Sequence, residues 1–156
     1  MKTILEPNCS KFGFFYSAQA IWRIALLVCA ICCSSNVFPQ SGKHPIEIQL
    51  EACLDSSEST AGMCECECVA AQAWDLELNK YYKLLMGVLS PEAKELLRQS
   101  QRNWLAYRDA EQKFSSQFYT DMEGTMWRAV NAGRYREIVK KRAEELRSYY
   151  EDMEPK

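Results

Sequence analysis

The chain carries a single histidine, His44, among 156 residues. Imidazole is the commonest general base near neutral pH, so its near absence removes most Ser–His and Cys–His chemistry. A basic excess is also missing: 19 Lys and Arg face 21 Asp and Glu. That balance argues against a general nucleic-acid binder, whose footprint is a basic face. No stretch alternates apolar and polar residues for more than a few positions, so strands are not expected. Internal repeats are absent. No charge-free apolar run reaches the roughly 20 residues that a membrane-spanning helix needs.

The first forty residues differ from the rest. Lys2, Lys11 and Arg23 precede an apolar run from Ile24 to Cys33, and Ser34-Ser35-Asn36 and Pro39-Gln40-Ser41 follow it. Positive start, short apolar core and small polar exit form the order of a secretory signal peptide. Extending the run back to Phe12 places Arg23 near its middle, at a cost of roughly 3 kcal/mol on insertion scales. Residues 1–40 are therefore read as a cleaved leader, with cleavage between about 34 and 41, and 41–156 as one domain. Neither Cys29, Cys32 nor Cys33 follows the small residues that lipoprotein processing requires. Losing the leader removes three bases and one acid, which leaves 16 against 20 and a net charge near −4. Such a domain suits a basic protein partner and a periplasmic or secreted location, with no membrane span left after processing.

Four of the eight cysteines leave with the leader, and Cys53, Cys64, Cys66 and Cys68 remain. An even number in an oxidising compartment implies disulfides. On a helix, residues two apart point about 200° apart, so Cys64 and Cys68 share a face and Cys66 takes the other. A staple from Cys53 to one of the three closes a loop of about a dozen residues, for roughly 3 kcal/mol. The alternative is a soft-metal or redox-responsive site built from the four thiols, or from three of them with His44.

The rest reads as an all-α bundle of three to four helices. Ile46, Leu50, Cys53 and Leu54 mark a short first helix. Thr60 is the expected cap of a second, from Ala61 to Leu89, whose stripe is Ala70, Trp74, Leu78, Tyr81, Leu85 and Val88. Ser90-Pro91-Glu92 combines a capping hydroxyl, a first-turn proline and an acid at the positive helix end. The third helix runs to Tyr119, with Ala93, Leu97, Trp104, Tyr107, Phe114 and Phe118 on its inner side. A fourth covers Met126 to Met153, faced by Tyr135, Ile138 or Val139, Arg142, Leu146 and Tyr149. Asn131-Ala132-Gly133 leaves open whether it is one helix or two.

Polar residues beside these stripes are the candidate site: Asp75, Asn79, Gln101, Arg108 and Asp109. If the second and third helices pack antiparallel across the Ser-Pro turn, Asp75 and Arg108 come level, and a cross-helix pair is expected. Without a nucleophile, a neutral-range base or a metal, the group reads as a packing network rather than a catalytic one. No cofactor is expected.

The runs STAGMCECECVAAQAWDLELNKYYKLLM, LLRQSQRNWLAYRDAEQ and REIVKKRAEELRSYY together resemble the lysozyme inhibitor LprI-like N-terminal family of bacterial envelope proteins. The pattern falls on Met63, Cys66, Asp75, Leu78, Asn79, Tyr81, Gln101, Trp104, Arg108, Asp109, Arg142 and Leu146. It covers about residues 50–150. The resemblance implies a helical, exported, disulfide-containing domain that is not an enzyme. Its name-giving activity is inhibition of a lysozyme. The family commonly has a cysteine soon after the Arg-Asp pair, where this chain has Gln112, and a further cysteine near the last helix has no counterpart. No inhibitory residue is carried over by the pattern.

Overall fold

The computed structural model describes residues 42–153, so the leader expected over 1–40 lies outside the described residues. Four helices follow one another: α1 (Pro45–Asp55), α2 (Thr60–Val88), α3 (Pro91–Thr120) and α4 (Met126–Glu151). Among the described residues there is no strand. None of these helices is long and apolar enough to cross a membrane.

The helix starts have local causes. His44 caps α1 through its ring, Nδ1 accepting from the Ile46 N–H at 3.3 Å, and Pro45 fills the first turn. For α2 the cap is Ser59 rather than Thr60; its hydroxyl accepts from the Gly62 N–H at 3.1 Å. Thr60 already lies inside the helix, and its hydroxyl meets that of Thr125 at 3.2 Å. Ser90 caps α3 through the Ala93 N–H, as the Ser-Pro-Glu pattern led one to expect. The turn into α4 passes through Gly124 at φ +95°, a conformation a side chain resists. Asn131-Ala132-Gly133 does not interrupt α4, which is one helix.

Contact pairs fix the directions. Cys53 meets Cys66 and Glu47 meets Trp74, so α1 runs antiparallel to α2. Thr60 meets Thr125, Glu67 meets Arg136 and Tyr81 meets Tyr150, so α2 and α4 run parallel. Ser100 and Gln101 meet Arg142, and Ser116 meets Asn131, so α3 returns antiparallel to α4. The α2–α4 seam is the most extensive contact, ahead of α1–α2 and α3–α4. Buried Ala71, Ala129 and Ala143 suit that close approach. So does Gly133, where an added Cβ meets a Glu67 carboxylate oxygen at 3.2 Å.

The core is the Trp74, Leu78 and Leu85 stripe of α2 locked against Val139, Ala143 and Leu146 of α4. Leu97 and Trp104 of α3, Ile46 of α1, and Tyr81, Tyr135 and Tyr150 close over it. A smaller cluster of Leu50, Cys66 and Ala70 holds α1 down. Several expected inner residues face out instead: Val88, Tyr107, Phe114, Phe118 and Tyr149. The reason on α3 is the 100° step per residue. Leu97, Trp104, Arg108 and Ser115 share one side, while Tyr107, Phe114 and Phe118 fall on another. On α4, Tyr150 rather than Tyr149 reaches the core, beside Tyr81.

Candidate functional site

Cys53 is bonded to Cys66, with their Cα atoms 5.8 Å apart. Cys66 is the thiol on the α1 side of α2, packed with Leu50 and Ala70. Ser57 Oγ lies 3.3 Å from its sulfur. Cys64 and Cys68 sit one turn apart on α2, both half-buried. The bond takes two thiols from the four-cysteine metal or redox alternative. Among the described residues, no three His, Cys, Asp or Glu gather where an ion could sit. The His44 ring packs against that of Trp74, with centroids 4.4 Å apart and the planes tilted by 35°.

Next to the disulfide lies a charge cluster that sequence reasoning missed. Arg136 of α4 donates from Nε to Glu67 of α2 at 2.6 Å and stands 3.6 Å from Glu47 of α1. Lys140 reaches the other Glu47 oxygen at 3.0 Å, and Trp74 Nε1 donates to Glu47 at 2.9 Å. Three helices are thus tied by four charges and one indole. Burial pushes the Glu47 carboxyl up, but the hydrogen bonds from Lys140 and Trp74 and the charges of Lys140 and Arg136 outweigh it, so its pKa is lowered. The available signal was Arg136 and Lys140, four apart on one face of α4. Nothing in the sequence said that their partners sit on α1 and α2.

The motif residues form a second group, nearer α3. Asn79 Nδ2 donates to the Asp75 side chain at 2.9 Å and to its carbonyl at 2.7 Å. Arg108 is buried over the Trp104 ring and pairs with neighbouring Asp109 at 2.6 Å. The expected Asp75–Arg108 bond is therefore replaced by two local pairs, because α2 lies closest to α4 rather than to α3. The Arg108 charge still acts on Asp75: burial raises the Asp75 pKa, and Arg108 and Asn79 offset it only in part. Tyr135, across from them, is raised chiefly by burial. Farther along, buried Arg142 bonds Gln101 at 3.2 Å, Ser100 at 3.0 Å and Glu145 at 2.6 Å, which clamps α3 to α4. Where the pattern departs, at Gln112, the α3–α4 seam is polar: Gln112 and Asn131 both donate to Ser116. Gln112 Oε1, Asn131 Oδ1 and Arg108 Nη1 are buried and have no hydrogen-bond partner among the described residues.

Charge is unevenly spread along the chain. Between Lys43 and Lys80 there are eight acids and no Lys or Arg. Glu47 and Glu67 are answered internally by Arg136 and Lys140, while Glu51, Asp55, Glu58 and Glu65 are exposed on or between α1 and α2. On the other side, an open groove of about 500 Å³ runs between α3 and α4, lined by Trp104, Tyr107, Glu111, Arg134, Lys141 and Glu145 among others. Its charges balance.

Polar groups that tie helix to helix and a disulfide brace define a four-helix fold with an exposed acidic stretch on α1 and α2. More than half of the chain, residues 52–146, matches the model of the family described as Lysozyme inhibitor LprI, and the chain belongs to that family. No curated protein matches it. It is similar to the crystal structure of an uncharacterized protein from Burkholderia thailandensis, with 30% identity and a TM-score of 0.66. That match covers 72% of this chain and 56% of the other, so the chain spans a little over half the length of that relative.

Proposed function

We propose that this protein acts outside the cytoplasm, after loss of residues 1 to about 34–41, as a non-enzymatic inhibitor that binds a lysozyme. Membership of the lysozyme inhibitor family over residues 52–146 carries the reading. The charge distribution supports it. The stretch from residue 44 to 79 carries eight acids and no Lys or Arg, and its exposed Glu51, Asp55, Glu58 and Glu65 attract a basic enzyme and speed encounter. The disulfide and the Arg136 cluster tie α1 and α2 to each other and to α4, so little ordering entropy is lost on docking. The bound domain then blocks access to the sugar cleft.

The test is lysis of a peptidoglycan suspension by several lysozymes, with and without the purified protein. The expected result is a dose-dependent fall in rate for at least one basic lysozyme, relieved by salt. Unchanged rates at molar excess remove the inhibitor reading and leave the fold untouched.

A further inference from the structure

The outer face of α3 is exposed along most of its length. Leu96, Tyr107, Phe114 and Phe118 are 72%, 56%, 62% and 46% exposed. At 100° per residue they fall within about 40° of one another. Gln99, Ser100, Asn103, Ala106, Ala110 and Gln117 flank them, and all are exposed. These ten residues run from Leu96 to Phe118 without one charge, on a helix that otherwise carries Lys94, Glu95, Arg98, Arg102, Asp109, Glu111 and Lys113. Inside, α3 contributes no fully buried apolar residue, since its buried side chains are Arg108 and Ser115.

We propose that this face is where a second copy of the chain docks, α3 against α3, antiparallel about a twofold axis near Ala110. Charge decides between occupants. A basic protein gains nothing from a face without acids. A second copy, by contrast, shares the net negative charge of the first and repels it everywhere except where charge is absent. The pattern also complements itself, as a twofold contact must. With the axis between Ala110 and Glu111, Tyr107 of each copy meets Phe114 of the other, and Phe118 meets Asn103. Ala106 and Ala110 at the crossing let the backbones approach, and antiparallel helices align their dipoles favourably. About this axis the stretch from Asn103 to Phe118 of one copy faces the same stretch of the other, and Leu96 and Gln99 lie beyond it. Tyr107 also lines the groove toward α4, which gives a partner ring a place to enter.

The experiment is sedimentation velocity of the purified protein over a concentration series, with Phe114→Asp and Leu76→Asp beside the wild type. Leu76, 73% exposed on the outer side of α2, is the control. Both positions are exposed, so circular dichroism should show unchanged helix in each variant. The wild type and Leu76→Asp should form dimers, and Phe114→Asp should weaken association by about a hundredfold. A wild type that stays monomeric throughout overturns the proposal. So does a dimer that survives Phe114→Asp, or one that Leu76→Asp abolishes equally.

Discussion

Arg136 is the position where one substitution tests most of the packing at once. Arg136→Met keeps a similar length and removes the cation. Glu67, 12% exposed, then loses its 2.6 Å partner, and Glu47, 18% exposed, keeps only Lys140 and Trp74. Removing one member of a buried pair costs about 3–5 kcal/mol, because the other is left as an unpaired charge. Residual exposure and the remaining Lys140 reduce the expectation here to about 2–4 kcal/mol. For a domain stable by about 5–15 kcal/mol that is a large fraction. Urea unfolding followed by far-UV circular dichroism measures it, at constant m-value. The double variant Glu67→Gln/Arg136→Met removes both charges and should recover about 1–3 kcal/mol relative to additivity. A loss under about 0.5 kcal/mol for Arg136→Met, or zero coupling, refutes the hub.

Other consequences follow from the same contacts. Replacing Cys53 and Cys66 by serine should cost about 3 kcal/mol, read as a fall in the thermal midpoint that reductant reproduces in the native protein. Leu78→Ala or Leu146→Ala should cost about 2–5 kcal/mol, whereas Phe114→Ala, compared at dilutions where the chain is monomeric, should stay within about 0.5 kcal/mol, since its ring is exposed in the single chain. The pH dependence has two opposite parts. Glu47 has a lowered folded pKa, so its contribution is present above the unfolded value and is lost as pH falls through the folded one. Asp75 has a raised folded pKa, so its contribution is present below the unfolded value and is lost as pH rises through the folded one. Thermal midpoints measured from acid to neutral pH should flatten on the acid side in Glu47→Gln. In Asp75→Asn the fall on the rising side should disappear.

Much of the fold was legible because α2 states its own stripe. Ala70, Trp74, Leu78 and Leu85 recur at helical steps and all are buried. The Ser90-Pro91-Glu92 boundary was legible for equally local reasons. On α3 the reading failed for a physical cause: apolar residues there follow two phases about 40–100° apart. Periodicity cannot say which phase meets protein, and the core side turned out to carry Arg108 and Ser115. The sequence names the motif residues one by one but not which of them pair. Gln101 and Arg142 were both singled out, yet their bond depends on α3 returning along α4. Likewise Cys53 was expected to bridge to α2, and only the helix phase against α1 selects Cys66.

Binding of the purified protein to a basic lysozyme, measured by titration calorimetry at low and at high salt, asks about function most directly. Saturable binding that weakens as salt rises is the predicted result. Heats no different from dilution at either ionic strength contradict it.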